Sequence, residues 1–280
     1  MGEVIACANQ KGGVGKTTTV VSMASYLALD GYRVLLVDMD PQGNATSGLG
    51  IDRASVERSV YDVLLANVPV ADAVRDTAVV GLSVLPSDRS LAGAEVELVP
   101  RSGRERRLKQ VLEPAGEEFD FILLDCPPSL GLLTVNGLTA ADSVLIPLQC
   151  EYYALEGLGQ LMATVDLIRE HLNPGLRLKG VILTMHDGRT SLSADVTAEV
   201  RRYLGRQVFD AVFPRSVRLA EATIYGQPIS EYSPSSRGAR AYQAVTAELL
   251  QRSDLRPSPA LIEASERYEI PRSAQAGEVS

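Results

Sequence analysis

Residues 9–19 read NQKGGVGKTTT. An apolar run at 4–8 precedes them, and a stretch with helical spacing, 16–30, follows. Such a link leaves few options for the fold. Gly12, Gly13 and Gly15 permit backbone conformations closed to other residues, so a strand can turn at once into a helix. The rest of the chain repeats the alternation. Apolar runs recur at 33–38, 82–86, 119–125, 143–148, 178–184 and 207–214, with stretches such as 155–172 and 193–204 long enough for crossover helices. Several runs are apolar on consecutive residues, the pattern of strands covered on both faces. Together they predict an α/β fold: a doubly wound, mainly parallel sheet with helices on both faces. Helical signal ends near Arg252, and the remainder is rich in Pro, Ser and Glu. The expected organisation is one domain over 1–252 and a disordered tail over 253–280.

Composition narrows the setting. With 45% hydrophobic residues in 280, the chain can bury a sizeable core. Three cysteines without a CxxC, and two histidines outside any metal-spaced cluster, point to reduced core thiols and against a zinc site. No run of about 18 apolar residues is present, and the first strand begins almost at the N-terminus, so neither a membrane span nor a signal peptide is expected. The reading is cytoplasmic.

The glycine-dense link is a variant phosphate loop. The usual pattern is G-x-x-x-x-G-K-[ST]. Gly15, Lys16 and Thr17 fit its end, but Gln10 stands where the first glycine belongs. Lys11, Gly12, Gly13, Val14 and Thr18 complete the loop. Its amides, with the positive end of the following helix, suit a phosphate chain. Lys16 is expected on the β- and γ-phosphates and Thr17 on Mg²⁺. A dinucleotide-binding G-x-G-x-x-G reading fails, because Thr18 occupies the third glycine position.

Two strand ends add carboxylates. VLLVDMDPQGN carries Asp38 and Asp40, and FILLDCPPS carries Asp125. Ligands in such sheets bind at the C-terminal strand ends. Asp125 follows four apolar residues, the pattern that holds Mg²⁺, and Asp38 is placed to share the metal. Asp40, one step further out on a Pro-Gly loop, is the candidate for orienting the attacking water.

KGGVGKTTT, LLVDMDPQGNATSGLG, LLDCPPSLGLLTVNGLTAAD and FPRSVRLAEATIYGQPISEY together resemble the ParA/Soj family of partitioning ATPases, over roughly residues 2–252. The wider group with this deviant loop includes MinD and the nitrogenase iron protein. The resemblance implies a role for the second lysine: Lys11 reaches across a homodimer interface to the partner's ATP, and Gly12 stays small where the subunits meet. It also implies ATP with Mg²⁺ as cofactors, and Lys11, Lys16 and Asp40 as the catalytic set. The segments 40–47 and 126–136 would be the switches. A nucleotide-gated dimer would bind DNA without sequence preference, most directly through Arg189 and Arg218. A ParB-like partner would stimulate slow hydrolysis, and the protein would be nucleoid-associated, moving a chromosome or a plasmid. Phe213 or Pro214 would lie beside adenine. No DNA-binding domain is expected ahead of the loop.

Local charge fits a DNA-facing surface: between residues 169 and 256 there are 13 Lys+Arg against 9 Asp+Glu, in a chain of net charge −8. A second basic run, RSGRERRLK at 101–109, reads as a solvated helix face. Two alternatives stay open. A MinD-like membrane role needs a basic amphipathic C-terminal helix, and ALIEASERYEI is short, acidic and flanked by proline. A regulator of replication initiation with little turnover would share the same nucleotide site. An iron-protein-like reductase needs two cysteines per subunit at the dimer axis, and no convincing second ligand accompanies Cys126.

Overall fold

The computed structural model describes residues 2–151, 154–253 and 255–257. Among them eight strands form one sheet: β1 (Glu3–Cys7), β2 (Val34–Asp38), β3 (Arg75–Asp76), β4 (Leu82–Leu85), β5 (Phe121–Asp125), β6 (Ser143–Gln149), β7 (Arg177–His186) and β8 (Val208–Pro214). Their order across the sheet is β3-β4-β2-β5-β1-β6-β7-β8. Every neighbouring pair is parallel except β3–β4. The predicted fold class is therefore the observed one.

Consecutive apolar residues in the strands serve two cores. Ala6, Leu35, Val37, Ile122 and Leu124 face one side, against Leu133, Leu138 and Leu161 from its helices. Ile5, Cys7, Leu36, Phe121 and Leu123 face the other, against Val20, Met23, Leu27 and Tyr242. A period-two strand with both faces covered yields this division. Pro147 lies inside β6, where a missing N–H would normally break a ladder. It is tolerated because β1 pairs with β6 only as far as Leu145, and Pro147 lies beyond that point. Its carbonyl accepts from Asn9 Nδ2 at 2.7 Å instead.

Two helices brace the first loop. Lys16–Leu29 starts at Gly15, which holds the left-handed φ of 91° and supplies no side-chain cap. Arg237–Gln251 starts on a Ser236 cap whose Oγ accepts from Ala239 N–H at 3.1 Å. It packs on the first helix through Tyr242, whose hydroxyl is 3.2 Å from Thr19 Oγ1. The basic run at 101–109 is largely exposed, as read, but only partly helical. Its helix begins only at Arg107, after a turn at Arg104–Arg106. Arg101 donates to the Leu65 carbonyl and Arg107 to the Leu64 carbonyl, so two cations satisfy the open C-terminal carbonyls of the Val60–Leu65 helix. Of the expected tail, residues 254 and 258–280 lie outside the described residues. Ser253 and Leu255 contact the body: Ser253 Oγ donates to Glu3 at 2.8 Å, and the Leu255 carbonyl accepts from Tyr32 at 3.3 Å.

Candidate active site

The strand order puts β1 between β5 and β6, with β2 next, so the C-terminal ends of β1, β2 and β5 open on one crevice. In register, Cys7 of β1 lies opposite Asp125, and Asp125 opposite Asp38. The sheet therefore brings the loop after Cys7, Asp38 and Asp125 together, as the sequence predicts.

The loop is held from below and left open above. Thr184 Oγ1 donates to the Val14 carbonyl at 2.8 Å, and Asn9 Oδ1 accepts from Lys11 N–H at 3.0 Å. Above Gly12 and Gly13 no atom lies within 4 Å of where a Cβ would sit. Gly13 and Gly15 have φ of 73° and 91°, which side chains at these positions would disfavour. The first helical bond is Thr19 N–H to Gly15 O, so the amides of Lys16, Thr17 and Thr18 find no acceptor within their helix. That is an anion cradle. A hollow of 560 Å³ lined by Val70, Val111 and Phe119 lies apart from this loop, with none of residues 9–19 in its lining.

The two lysines of the loop differ. Lys16 is buried, with Nζ 3.3 Å from the Lys11 carbonyl, curled over its own loop. The Lys11 side chain is 52% exposed and meets Glu151 Oε2 at 2.5 Å.

The carboxylates also differ. Asp38 is fully buried; Oδ2 accepts from the Thr46 N–H and hydroxyl at 2.8 and 2.7 Å, and Oδ1 from Asp40 N–H at 3.2 Å. Burial nonetheless pushes its carboxyl up to about 6, with the Asp40 charge adding to the rise and the Thr46 bonds opposing it. Asp125 is fully buried, and neither oxygen meets a hydrogen-bond donor among the described residues. Burial, then the charge of Asp38, raise its carboxyl well above the usual range. The Thr17 hydroxyl and the Lys16 charge pull the other way, but Thr17 does not reach hydrogen-bonding geometry and offsets only part of the rise. A carboxylate kept buried without donors suits a cation. No group of three or more His, Cys, Asp or Glu side chains is arranged for a metal among the described residues. That fits Mg²⁺, which retains waters and substrate oxygens and needs one or two protein ligands. Asp40 sits further out, its Oδ1 accepting from Gln42 N–H at 2.9 Å and its carbonyl from Ser87 Oγ at 2.7 Å.

The adenine candidates separate. Phe213 is buried against the Tyr242 ring, at 4.0 Å between centroids, while Pro214 is half-buried at the end of β8. The arginines of interest follow the ends of the neighbouring strands β7 and β8, Arg189 on the loop after β7 and Arg218 in the first turn of the Val217–Ile224 helix after β8. Arg189 is exposed and paired with Asp187 at 2.8 Å; Arg218 is exposed and paired with Glu221 at 2.8 Å. Arg201 instead donates to the Phe209 and Asp210 carbonyls. Sequence reasoning missed Asn9, Thr46, Ser87, Glu151 and Thr184. Asn9, Thr46 and Thr184 lay inside segments already singled out, the loop at 9–19, the switch at 40–47 and the apolar run at 178–184, without being given a role.

A family model described as an AAA domain (AAA_31) matches residues 2–178. The sporulation initiation inhibitor protein Soj of Bacillus subtilis is 56% identical over 249 residues, covering 89% of this chain and 98% of that protein. The chromosome partitioning protein ParA of Myxococcus xanthus is 51% identical over 252 residues, covering 90% of this chain and 89% of its own. Among solved structures, cobyrinic acid a,c-diamide synthase from Mycobacterium smegmatis, with bound ATP analog and magnesium, superposes with a TM-score of 0.79 at 42% identity, covering 90% and 95% of the two chains.

Proposed function

This chain belongs to the Soj/ParA family of chromosome-partitioning ATPases, in the MinD/ParA group of P-loop proteins, and from that premise we propose a nucleotide-gated DNA clamp. It binds ATP with Mg²⁺, dimerises around the two nucleotides, and as a dimer holds duplex DNA without reading its sequence. A ParB-like partner stimulates hydrolysis and releases it. The observation that carries this reading is the divergence of Lys11 and Lys16: one loop bears a buried lysine over its own cradle and an exposed one directed outward. The ATPase unit spans 1–252, with 253–280 as a tail anchored at its start by Ser253 and Leu255.

ATP supplies the phosphoryl group, and Mg²⁺ offsets the charge on its oxygens. The amides of the loop from Gly12 to Thr18 and Lys16 bind the phosphates of their own subunit. Thr17 and Asp125 would hold the metal, with Asp38 beside them, although its oxygens already accept from Thr46 and Asp40. Asp40 orients the attacking water and takes its proton as the oxygen bonds to phosphorus and the bridging oxygen departs with ADP. Lys11 of the partner subunit stabilises the charge that develops. Pro214 lies beside the base. Arg189 and Arg218 meet DNA phosphates, so binding weakens as salt rises.

The test is anisotropy of a random-sequence duplex with no nucleotide, ADP or a slowly hydrolysed ATP analogue, across a salt series. Binding only with the analogue, lost in Arg189→Glu or Arg218→Glu while dimerisation persists, is expected. No binding in any state by a chain that still dimerises would overturn the DNA reading and direct the search to lipid vesicles or protein partners.

A further inference from the structure

Lys11 is fixed at its backbone and held at its tip by different residues. Its N–H donates to Asn9 Oδ1 at 3.0 Å, and Asn9 is tied to β6 through the Pro147 carbonyl. Its carbonyl accepts from Lys16 at 3.3 Å. Its ammonium meets Glu151 Oε2 at 2.5 Å. Glu151 lies two residues past the end of β6, so backbone anchor and side-chain partner both trace to the C-terminal end of that strand. The other oxygen of Glu151 accepts from Gln149 Nε2 at 2.5 Å and lies 3.7 Å from Arg215. The carboxylate is thus steered by three groups, only one of which is Lys11.

We propose that Glu151 is a positioning residue for Lys11, which it holds away from its own phosphate cradle until a phosphate on the partner subunit draws it off. This rests on the reading that Lys11 acts across the dimer. Three physical points support it. First, Lys16 already supplies the cradle with a cation, and a second flexible ammonium on the same loop would be drawn to the same phosphates at short range. A carboxylate on a neighbouring strand end opposes that capture. Second, both partners are about half exposed, so water screens the pair and it contributes little to stability. A contact of that strength can be exchanged for a phosphate contact without a large barrier. Third, Glu151 lowers the positive charge shared by Lys11 and Arg215, which eases the approach of two like subunits. When Lys11 leaves, Gln149 and Arg215 remain to accompany the carboxylate, so it is not stranded.

Two measurements on the full chain test this. Carbodiimide joins a carboxylate to an amine it already touches, without a spacer. We expect an intrachain Lys11–Glu151 amide by peptide mass spectrometry in the monomer, and its loss when a slowly hydrolysed ATP analogue forms the dimer. Absence of the link in the monomer overturns the proposal, as does a link of undiminished yield in the dimer. In parallel, Glu151→Gln removes the carboxylate that keeps Lys11 from its own cradle and offsets the positive charge of Lys11 and Arg215. Sedimentation against analogue concentration is expected to show half-dimerisation at about two- to five-fold higher analogue, the range for an exposed ion pair, with the thermal midpoint without nucleotide unchanged. An unchanged or lower requirement overturns the proposal. If wild-type chain does not dimerise with the analogue, the trans reading of Lys11 fails by itself, whatever the crosslink shows; if wild type dimerises and the crosslink prediction fails, only the role of Glu151 falls.

Discussion

Thr46 closes on Asp38 twice, through its N–H at 2.8 Å and its hydroxyl at 2.7 Å, both to Oδ2. The same hydroxyl accepts from Ser87 N–H at 2.9 Å, and Ser87 Oγ donates to the Asp40 carbonyl at 2.7 Å. One buried hydroxyl therefore joins the end of β2, the turn after β4 and the loop that carries Asp40. Thr46→Val keeps the shape and removes the hydroxyl, leaving a buried N–H and a buried carboxylate oxygen each short of a partner. A loss of about 2 kcal/mol is expected, with Thr46→Ser close to wild type. Urea unfolding at constant slope measures it; a Val variant as stable as wild type would refute the network's role.

Asp125 gives a prediction of opposite sign. A fully buried carboxylate without donors costs the fold stability when no cation accompanies it. Asp125→Asn should melt higher than wild type in chelator, by about 2–4 °C for each kcal/mol relieved. It should also lose the added stabilisation that Mg²⁺ gives to ATP-bound wild type. A variant that melts below wild type in chelator would show that the carboxylate is not a strained feature of the site.

Arg189 is not free to meet DNA without competition. Asp187 accepts two of its N–H groups, at 2.9 and 2.8 Å, and the guanidinium holds the Asp187 carboxyl well below the usual range, so the pair stays ionised at any working pH. Asp187→Asn should tighten DNA binding by the ATP-analogue dimer about two- to five-fold. The gain should shrink as salt rises. Anisotropy decides it; weaker binding would mean that Asp187 orders Arg189 for contact.

Cys150 tests the expectation of inert core thiols away from the nucleotide loop. Burial pushes its thiol up, and the Thr197 hydroxyl opposes this in part. The thiolate is the reactive form, so a raised value means less of it at neutral pH. Alkylation of Cys150 by iodoacetamide in the folded chain should be slower than in urea, and its rate should rise at a higher pH than for an ordinary thiol. Equal rates in both states, read by peptide mass spectrometry, would contradict the burial.

The legible and illegible parts of this protein differ in the range of the physics. Seven strands were legible as short apolar runs between helical stretches, and in several of them consecutive apolar residues signalled burial on two faces. β3 gave no signal: it is Arg75–Asp76, two charged residues pairing antiparallel at an edge. Gly12, Gly13, Gly15 and Lys16 were legible because one short loop carries the whole constraint. Asp38 and Asp40 looked alike as strand-end acids, and only Thr46 and Gln42, as their hydrogen-bond partners, tell them apart. Glu151 was invisible, since its contact with Lys11 spans 140 positions and a glutamate after a strand is unremarkable in sequence. The second role of the arginines at 101 and 107 was hidden for a related reason: their run is solvated, as it reads, but two of its guanidinium groups also reach the carbonyls of a distant helix.

The ion pair of longest range among the described residues supplies the last prediction. Glu3 at the start of β1 meets Lys179 of β7 at 2.6 Å, with side-chain exposures of 13% and 7%. Lys179 also donates to Ser253 Oγ at 2.7 Å, just past the final helix. Arg252 beside it lies 4.0 Å over the Phe209 ring and donates to the Lys179 carbonyl. The first strand and the last helix are thus locked to β7. Lys179→Met would leave the Glu3 carboxylate buried with only hydroxyl donors, at a cost of about 3–5 kcal/mol. Glu3→Leu combined with Lys179→Met removes both charges and should recover most of that loss, because an apolar pair carries no desolvation penalty. Guanidinium unfolding of the two single variants and the double gives the coupling. If the double variant is no more stable than Lys179→Met alone, the pair's geometry, rather than its charge balance, holds β1 to β7.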